Sequence, residues 1–123
     1  MKVGISAQSA IIVDADNTAI SIGSGSLPVF STPSMAALME NAAVKCIDSY
    51  LDEKSATVGI ALNIKHTRAS AVGEKIIAKA TLVAVNGREL LFDVEACDSK
   101  GTTGKGSHKR FIVESEKFMS GLK

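Results

Sequence analysis

One helix with almost no polar side constrains this chain more than any other feature. Thr32 is a good N-cap, and Pro33 suits the first helical position, where no N–H is required; the periodicity then runs to about Leu51. On a wheel of about 100° per residue, Ser34, Asn41, Lys45 and Asp48 form one polar arc. Met35, Leu38, Met39, Ala42, Ala43, Val44, Cys46, Ile47 and Tyr50 fill nearly all the rest. Such a helix must be wrapped by protein, and the remainder of the chain has to supply the wrapping.

The remainder reads as strand. Val3 to Val13 precedes the helix, and four segments follow it with no second helical pattern between them: Thr57 to His66, Gly73 to Val85, Arg88 to Asp98 and Gly104 to Glu114. Asn86-Gly87 supplies a two-residue hairpin turn, and Ser99 to Thr103 makes another, so the pairing is expected to be antiparallel. A chain of 123 residues has room for one core. The expected architecture is therefore α+β, a single domain over residues 1–123, with an antiparallel sheet of about five strands wrapped around one long central helix. Between the first strand and the helix, GSGSLPVFSTP (Gly23 to Pro33) is too rich in Gly, Ser and Pro for a regular element. It carries Leu27, Val29 and Phe30, and a loop with apolar residues packs over something.

Composition excludes several functions. Phe30, Tyr50, Phe92, Phe111 and Phe118 are the only aromatic residues, too few for a single-strand nucleic-acid platform. Fourteen Lys and Arg against 13 Asp and Glu leave a net charge of +1, which selects neither polyanions nor membrane surfaces at a distance. Met1 to Ala10 lacks the features of a signal peptide, and no stretch approaches the roughly 18 apolar residues of a membrane span, so the expected location is cytoplasmic. Cys46 and Cys97 lack metal spacing and read as two buried thiols. No zinc motif, nucleophile elbow or dinucleotide fingerprint is present, and Gly101, Gly104 and Gly106 read as turn geometry rather than a phosphate loop.

Five positions could carry chemistry. Glu40 lies on the wheel among Pro33, Ala36, Ala37, Ala43, Val44 and Ile47, and a carboxylate there either meets a cation, with Arg110 a candidate, or is held for a purpose. Alternation sets His66 on the face of Val58, Ile60, Leu62 and Ile64, opposite Gly59, Ala61 and Asn63; it is a strand-end histidine or a second titratable group aimed inward. Thr32 is explained by capping alone, yet it also stands beside a helix N-terminus suited to a developing oxyanion. His108 and Arg110 alternate on one face of the last strand, a solvated or paired face by default.

The segments VFSTPSMAALME (Val29 to Glu40), VGIALNIKHTRASAVGE (Val58 to Glu74) and GSHKRFIV (Gly106 to Val113) together resemble a hotdog-fold thioesterase. Within that superfamily the chain is most similar to the fluoroacetyl-CoA thioesterase group, over nearly its whole length. The resemblance implies a hotdog fold and a homodimer or higher oligomer with acyl-CoA sites near the interface. It implies a catalytic Thr32, Glu40 and His66, with Gly59, Arg110 and Phe30 at the substrate and no metal or separate cofactor. In the fluoroacetate-specific enzyme the lid is aromatic; here it is Gly23 to Ser26, which points to another short acyl-CoA.

In such a site Glu40 acts as nucleophile or as general base toward water. His66 acts as base and proton carrier, and Thr32 orients the carboxylate or water. Backbone N–H groups at Gly59 or the helix start bind the carbonyl oxygen. Two other readings use the same pocket: acyl-CoA hydration or dehydration, and non-catalytic acyl-CoA binding.

Overall fold

The structure, a computed structural model, describes residues 1–123. Five strands form one sheet: β1 (Ser6–Ile12), β2 (Ser55–His66), β3 (Lys75–Asn86), β4 (Glu89–Asp98) and β5 (Gly101–Glu114). Their order is β1-β3-β4-β5-β2 and every neighbouring pair is antiparallel. The long helix α2 (Thr32–Ile47) lies across the sheet, preceded by one short turn of helix, α1 (Ala19–Ile22), and a short α3 (Ser115–Ser120) closes the chain. This is the expected α+β arrangement, with α1 and α3 additional to it. No helix is long and apolar enough to cross a membrane.

One hydrophobic core joins the inner faces of helix and sheet. Met35, Met39, Ala42, Ala43 and Ile47 of α2 are buried against Ile76, Ala78, Ala80 and Leu82 of β3 and Leu90, Phe92, Val94 and Ala96 of β4. The helix packs chiefly on β1 and β3 and only lightly on β2. Its opposite flank, Thr32, Pro33, Ala36, Ala37 and Glu40, is therefore half or fully exposed in one chain, where the wheel predicts wrapping. The regular α-helix ends at Ile47 and tightens to a 3₁₀ turn over Asp48–Tyr50, so Tyr50 is exposed rather than part of the wrapped face.

Several local expectations shift. Asn86 pairs with Glu89, so the hairpin turn is Gly87–Arg88; Gly87 stands at φ 63°, as the first central position of a type II′ turn demands. Of the three glycines assigned to turn geometry, only Gly101 has a positive φ (125°). Gly104 and Gly106 sit inside β5, where a Cβ would overlap the Met35 thioether and the carbonyl of Asn63 respectively, so they permit close approach of helix and neighbouring strand. Cys46 is buried and burial pushes its thiol pKa up, but Cys97 is half-buried, not a core thiol.

Candidate active site

Two groups of polar side chains lie between α2 and β2, one toward each end of β2. At the first, Ser31 rather than Thr32 is the N-cap: its hydroxyl accepts from the Ser34 N–H at 3.1 Å, and its carbonyl accepts from Met35 N–H. Pro33 has no N–H, so only the N–H of Thr32 remains at the helix start for an oxyanion. Freed from capping, the Thr32 hydroxyl lies 2.9 Å from Nδ1 of His66. The other ring nitrogen, Nε2, is buried with no partner. Burial lowers the pKa of this imidazole, favouring the neutral base. Phe30, 1% exposed, sets its ring edge-on to His66 with centroids 6.4 Å apart.

A hollow of about 210 Å³ opens beside this pair, between Ala19, Ser24, Val29, Phe30, His66 and Ala69. From α1 and the Gly23–Ser26 segment, Ala19 and Ser24 line it, whereas Leu27 does not and is 65% exposed. A larger hollow of about 470 Å³ lies on the outer face of the sheet among Lys79, Thr81, Asp93, Glu95 and Lys105, and includes none of the candidate residues. The loop after His66 is pinned by a network absent from the sequence reading. Asp98, its side chain 2% exposed, accepts from Arg68 Nη2 at 2.7 Å, from the Ser70 hydroxyl at 2.7 Å and from the Lys100 N–H at 2.9 Å. Ser70 in turn accepts from the Phe30 N–H through its carbonyl.

The second group depends on an irregularity in β2. Gly59 pairs with Arg110 while Ala61 pairs with Lys109, so Ile60 is one residue too many for its partner strand. A bulge of this kind flips the face of everything on one side of it. Val58 and Ile60 are thereby separated from the stripe of Leu62, Ile64 and His66, and Gly59, expected on the opposite face, joins His66 on the inner one. A Cβ at Gly59 would lie 2.6 Å from Glu40 Oε2 and 3.2 Å from both Arg110 Nη1 and His108 Cε1. The glycine is what lets the carboxylate come down onto the strand.

Glu40 is not buried in a single chain; its side chain is 40% exposed. Oε2 accepts from Arg110 Nη1 at 3.4 Å and lies 3.7 Å from His108 Nε2. Arg110 is 7% exposed and anchored twice to Thr57, by Nε to the hydroxyl (2.8 Å) and Nη2 to the carbonyl (3.0 Å). Burial lowers the pKa of this guanidinium, and the charge of Glu40 opposes that. The ion pair considered for Glu40 is therefore present. Thr57 and His108 belong to the cluster too; of the two readings of the face that His108 shares with Arg110, the structure has the paired one, buried rather than solvated.

The structure thus unites Thr32, His66 and Phe30 in one group, and Glu40, Gly59 and Arg110 in another. Eight residues of helix, about 12 Å of rise, separate Thr32 from Glu40.

The sequence matches the family described as fluoroacetyl-CoA-specific thioesterase over residues 13–116. It is 37% identical over 90 residues to the fluoroacetyl-CoA thioesterase of Streptantibioticus cattleyicolor; the match covers 73% of this chain and 65% of that relative's length. The solved structure of a fluoroacetyl-CoA thioesterase superposes with a TM-score of 0.94 at 30% identity, covering 99% of this chain and 95% of that one. A mutant of such an enzyme in complex with fluoroacetate and CoA gives 0.90 at 31% identity, covering 96% and 99%. A thioesterase superfamily member from Thermus thermophilus, at 23% identity and a TM-score of 0.91, covers 98% and 90% and shares the fold. The chain, with its five-stranded antiparallel sheet around one long helix, is a hotdog-fold protein and belongs to the fluoroacetyl-CoA-specific thioesterase family.

Proposed function

We propose that this protein hydrolyses a short acyl-CoA thioester to free acid and CoA, as a cytoplasmic homodimer that uses no metal or separate cofactor. One observation carries the reading: the Thr32 hydroxyl lies 2.9 Å from Nδ1 of His66, the buried Nε2 is left without a partner, and both residues line a hollow with Ala19, Ser24 and Phe30. With Nδ1–H donating to Thr32, Nε2 presents a lone pair, which is what a general base requires. Family membership and the CoA-bound relative support acyl-CoA as substrate.

Glu40 supplies the carboxylate, as nucleophile or as base toward water, and Arg110 Nη1, 3.4 Å from its Oε2, orients it. Because Glu40 does not reach His66 within one chain, the complete site takes Glu40 from one subunit and Thr32 with His66 from the other. The β2 strand is suited to making that interface. It lies at the sheet edge, and Ile60 and Leu62 are 50% and 39% exposed, an apolar edge that a monomer would leave open to aggregation. Antiparallel pairing of β2 with its twin about a two-fold axis at Asn63 matches Leu62 with Ile64 and Ala61 with Lys65. Counting Ile60 as the extra residue, it then sets Gly59, and with it Glu40, opposite the partner's His66.

Thiol release from a panel of acyl-CoAs tests the activity: a hydrolase frees CoA, a hydratase alters the acyl chain, and a binding protein does neither. Glu40→Gln and His66→Ala should stay folded and each lose roughly 100-fold or more in rate. Mixed and re-associated, the two inactive variants should recover about a quarter of wild-type activity, since half of the dimers are mixed and one of their two sites is intact. Full activity in either folded variant refutes the assignment, and no recovery on mixing refutes the shared site.

A further inference from the structure

His108 has no part in the chemistry above, yet both of its ring nitrogens are committed. The residue is 1% exposed. Nδ1 lies 2.8 Å from the carbonyl oxygen of Ala61, an atom that only accepts, so Nδ1 carries the proton. Nε2 lies 3.2 Å from Arg110 Nη1, a group that only donates, so Nε2 carries none. Glu40 Oε2, the other group near Nε2, is 3.7 Å away and outside hydrogen-bond distance, so the two closer neighbours select the neutral Nδ1–H tautomer. Burial, the largest influence, lowers the pKa along with the charge of Arg110, while the Ala61 carbonyl and Glu40 act the other way.

Each bond ends at a feature that places the Glu40 carboxylate. Ala61 is where the register of β2 resumes after Ile60, so the bond to its carbonyl pins the bulge that turns Gly59 inward. Arg110 Nη1 has two hydrogens, and with one directed at His108 Nε2 the other is left for Glu40 Oε2, 3.4 Å away. An imidazolium would remove the acceptor and set a second positive charge against the guanidinium. Phe92 covers the ring from the core side, with centroids 6.2 Å apart, so it has little freedom to turn.

We propose that His108 is a positioning residue: a neutral hydrogen-bond link from the β2 bulge to Arg110 that fixes the direction from which Arg110 holds the Glu40 carboxylate. It touches no substrate. The inference rests on the reading of Glu40 as the carboxylate that acts on the thioester.

The test uses two variants of the full chain and one measurement that needs no activity. His108→Asn keeps an N–H near the place of Nδ1 for the Ala61 carbonyl and removes the acceptor for Arg110; His108→Gln places an acceptor near Nε2 and gives up the Ala61 bond. Nitrogen-detected spectra of the wild type should show His108 protonated at Nδ1 alone, and the Arg110 guanidinium protons should exchange faster in His108→Asn than in the wild type or His108→Gln. In His108→Asn, kcat should fall about 10-fold or more with KM within about 2-fold, because a misplaced reacting group costs turnover before it costs binding. A proton on Nε2 in the wild type overturns the proposal, as does a folded His108→Asn with unchanged kcat. If His108→Asn does not fold, the wild-type tautomer and the Arg110 exchange in His108→Gln decide alone. If the wild type hydrolyses no thioester, the function has failed, and the same spectra still judge the positioning.

Discussion

Replacing Gly59 with alanine should separate catalysis from folding, because the new methyl group meets the flexible end of a side chain rather than backbone. Gly59 does not stand at a positive φ, so alanine meets no backbone strain there. Its Cβ would start 2.6 Å from Glu40 Oε2, whereas ordinary contact begins at 3.4 Å, and the carboxylate must retreat by about 0.8 Å. Arg110 Nη1 and His108 Cε1, each at 3.2 Å, need to give only a few tenths of an ångström. Glu40 is 40% exposed and has room to swing away. The fold should therefore be affected little. Alanine gains roughly 0.5–1 kcal/mol over glycine by restricting the unfolded chain, which offsets the lost contacts and keeps stability within about 1 kcal/mol of wild type. Catalysis should suffer far more, since a displacement approaching 1 Å costs on the order of 100-fold in rate. Urea unfolding and thiol release measured on the same preparation provide both numbers. Gly106→Ala serves as the contrast: its Cβ would overlap the carbonyl of Asn63, a backbone atom that cannot swing away, and it should lose folding first. A Gly59→Ala protein that turns over within about 3-fold of wild type would refute the placement of Glu40 at the reaction.

Other outcomes follow from the same geometry. Burial raises the pKa of Asp98, but the hydrogen bonds from Arg68, Ser70 and the Lys100 N–H, with the charge of Arg68, prevail and hold it at about 2, below the ordinary 3.8. A depressed carboxylate stabilises the fold above its unfolded pKa. After allowance for the 35% exposure of Arg68, Asp98 should contribute about 1–2 kcal/mol above about pH 4, lost as pH falls toward 2. Urea titrations of Asp98→Asn and wild type should converge at low pH, and a gap that persists there contradicts the argument. Light scattering at micromolar concentration should report at least a dimer; a fully active monomer removes the proposed interface. With Gly23–Ser26 in place of an aromatic lid, competing substrates should show a fluoroacetyl-CoA over acetyl-CoA efficiency ratio below about 200-fold, because one small substituent in a pocket is worth roughly 1–3 kcal/mol. A preference of several thousand-fold would mean that other residues rebuild the lid.

Local rules were enough for the elements. The Thr32-Pro33 start, the narrow polar arc of α2, and the turns around Gly87 and Ser99 are written in neighbouring residues. They specify one long helix and strands that pair antiparallel, with boundaries good to a few residues. The three segments carrying Thr32, Glu40, His66, Gly59 and Arg110 were likewise sufficient to indicate the family. Choices between equivalent local options were not legible: Ser31 and Thr32 both make good N-caps, and only the position of His66 across the groove shows why the second hydroxyl is free.

The bulge at Ile60 lies deeper still, since isoleucine suits either face of an edge strand, and Gly59 beside it signals a bulge or a close approach without saying which residue is the extra one. That single insertion decides that Gly59 shares a face with His66, lets Glu40 approach, and gives His108 a carbonyl to bind. The separation of Glu40 from His66 was equally hidden, because the wheel places side chains around an axis but does not say which strand each flank will meet. Helical and strand periodicity are properties of a few consecutive residues, so the sequence alone determined them. Register, strand order and the partners of buried charges join residues as far apart as Glu40 and Arg110, and only the packed chain brings those together.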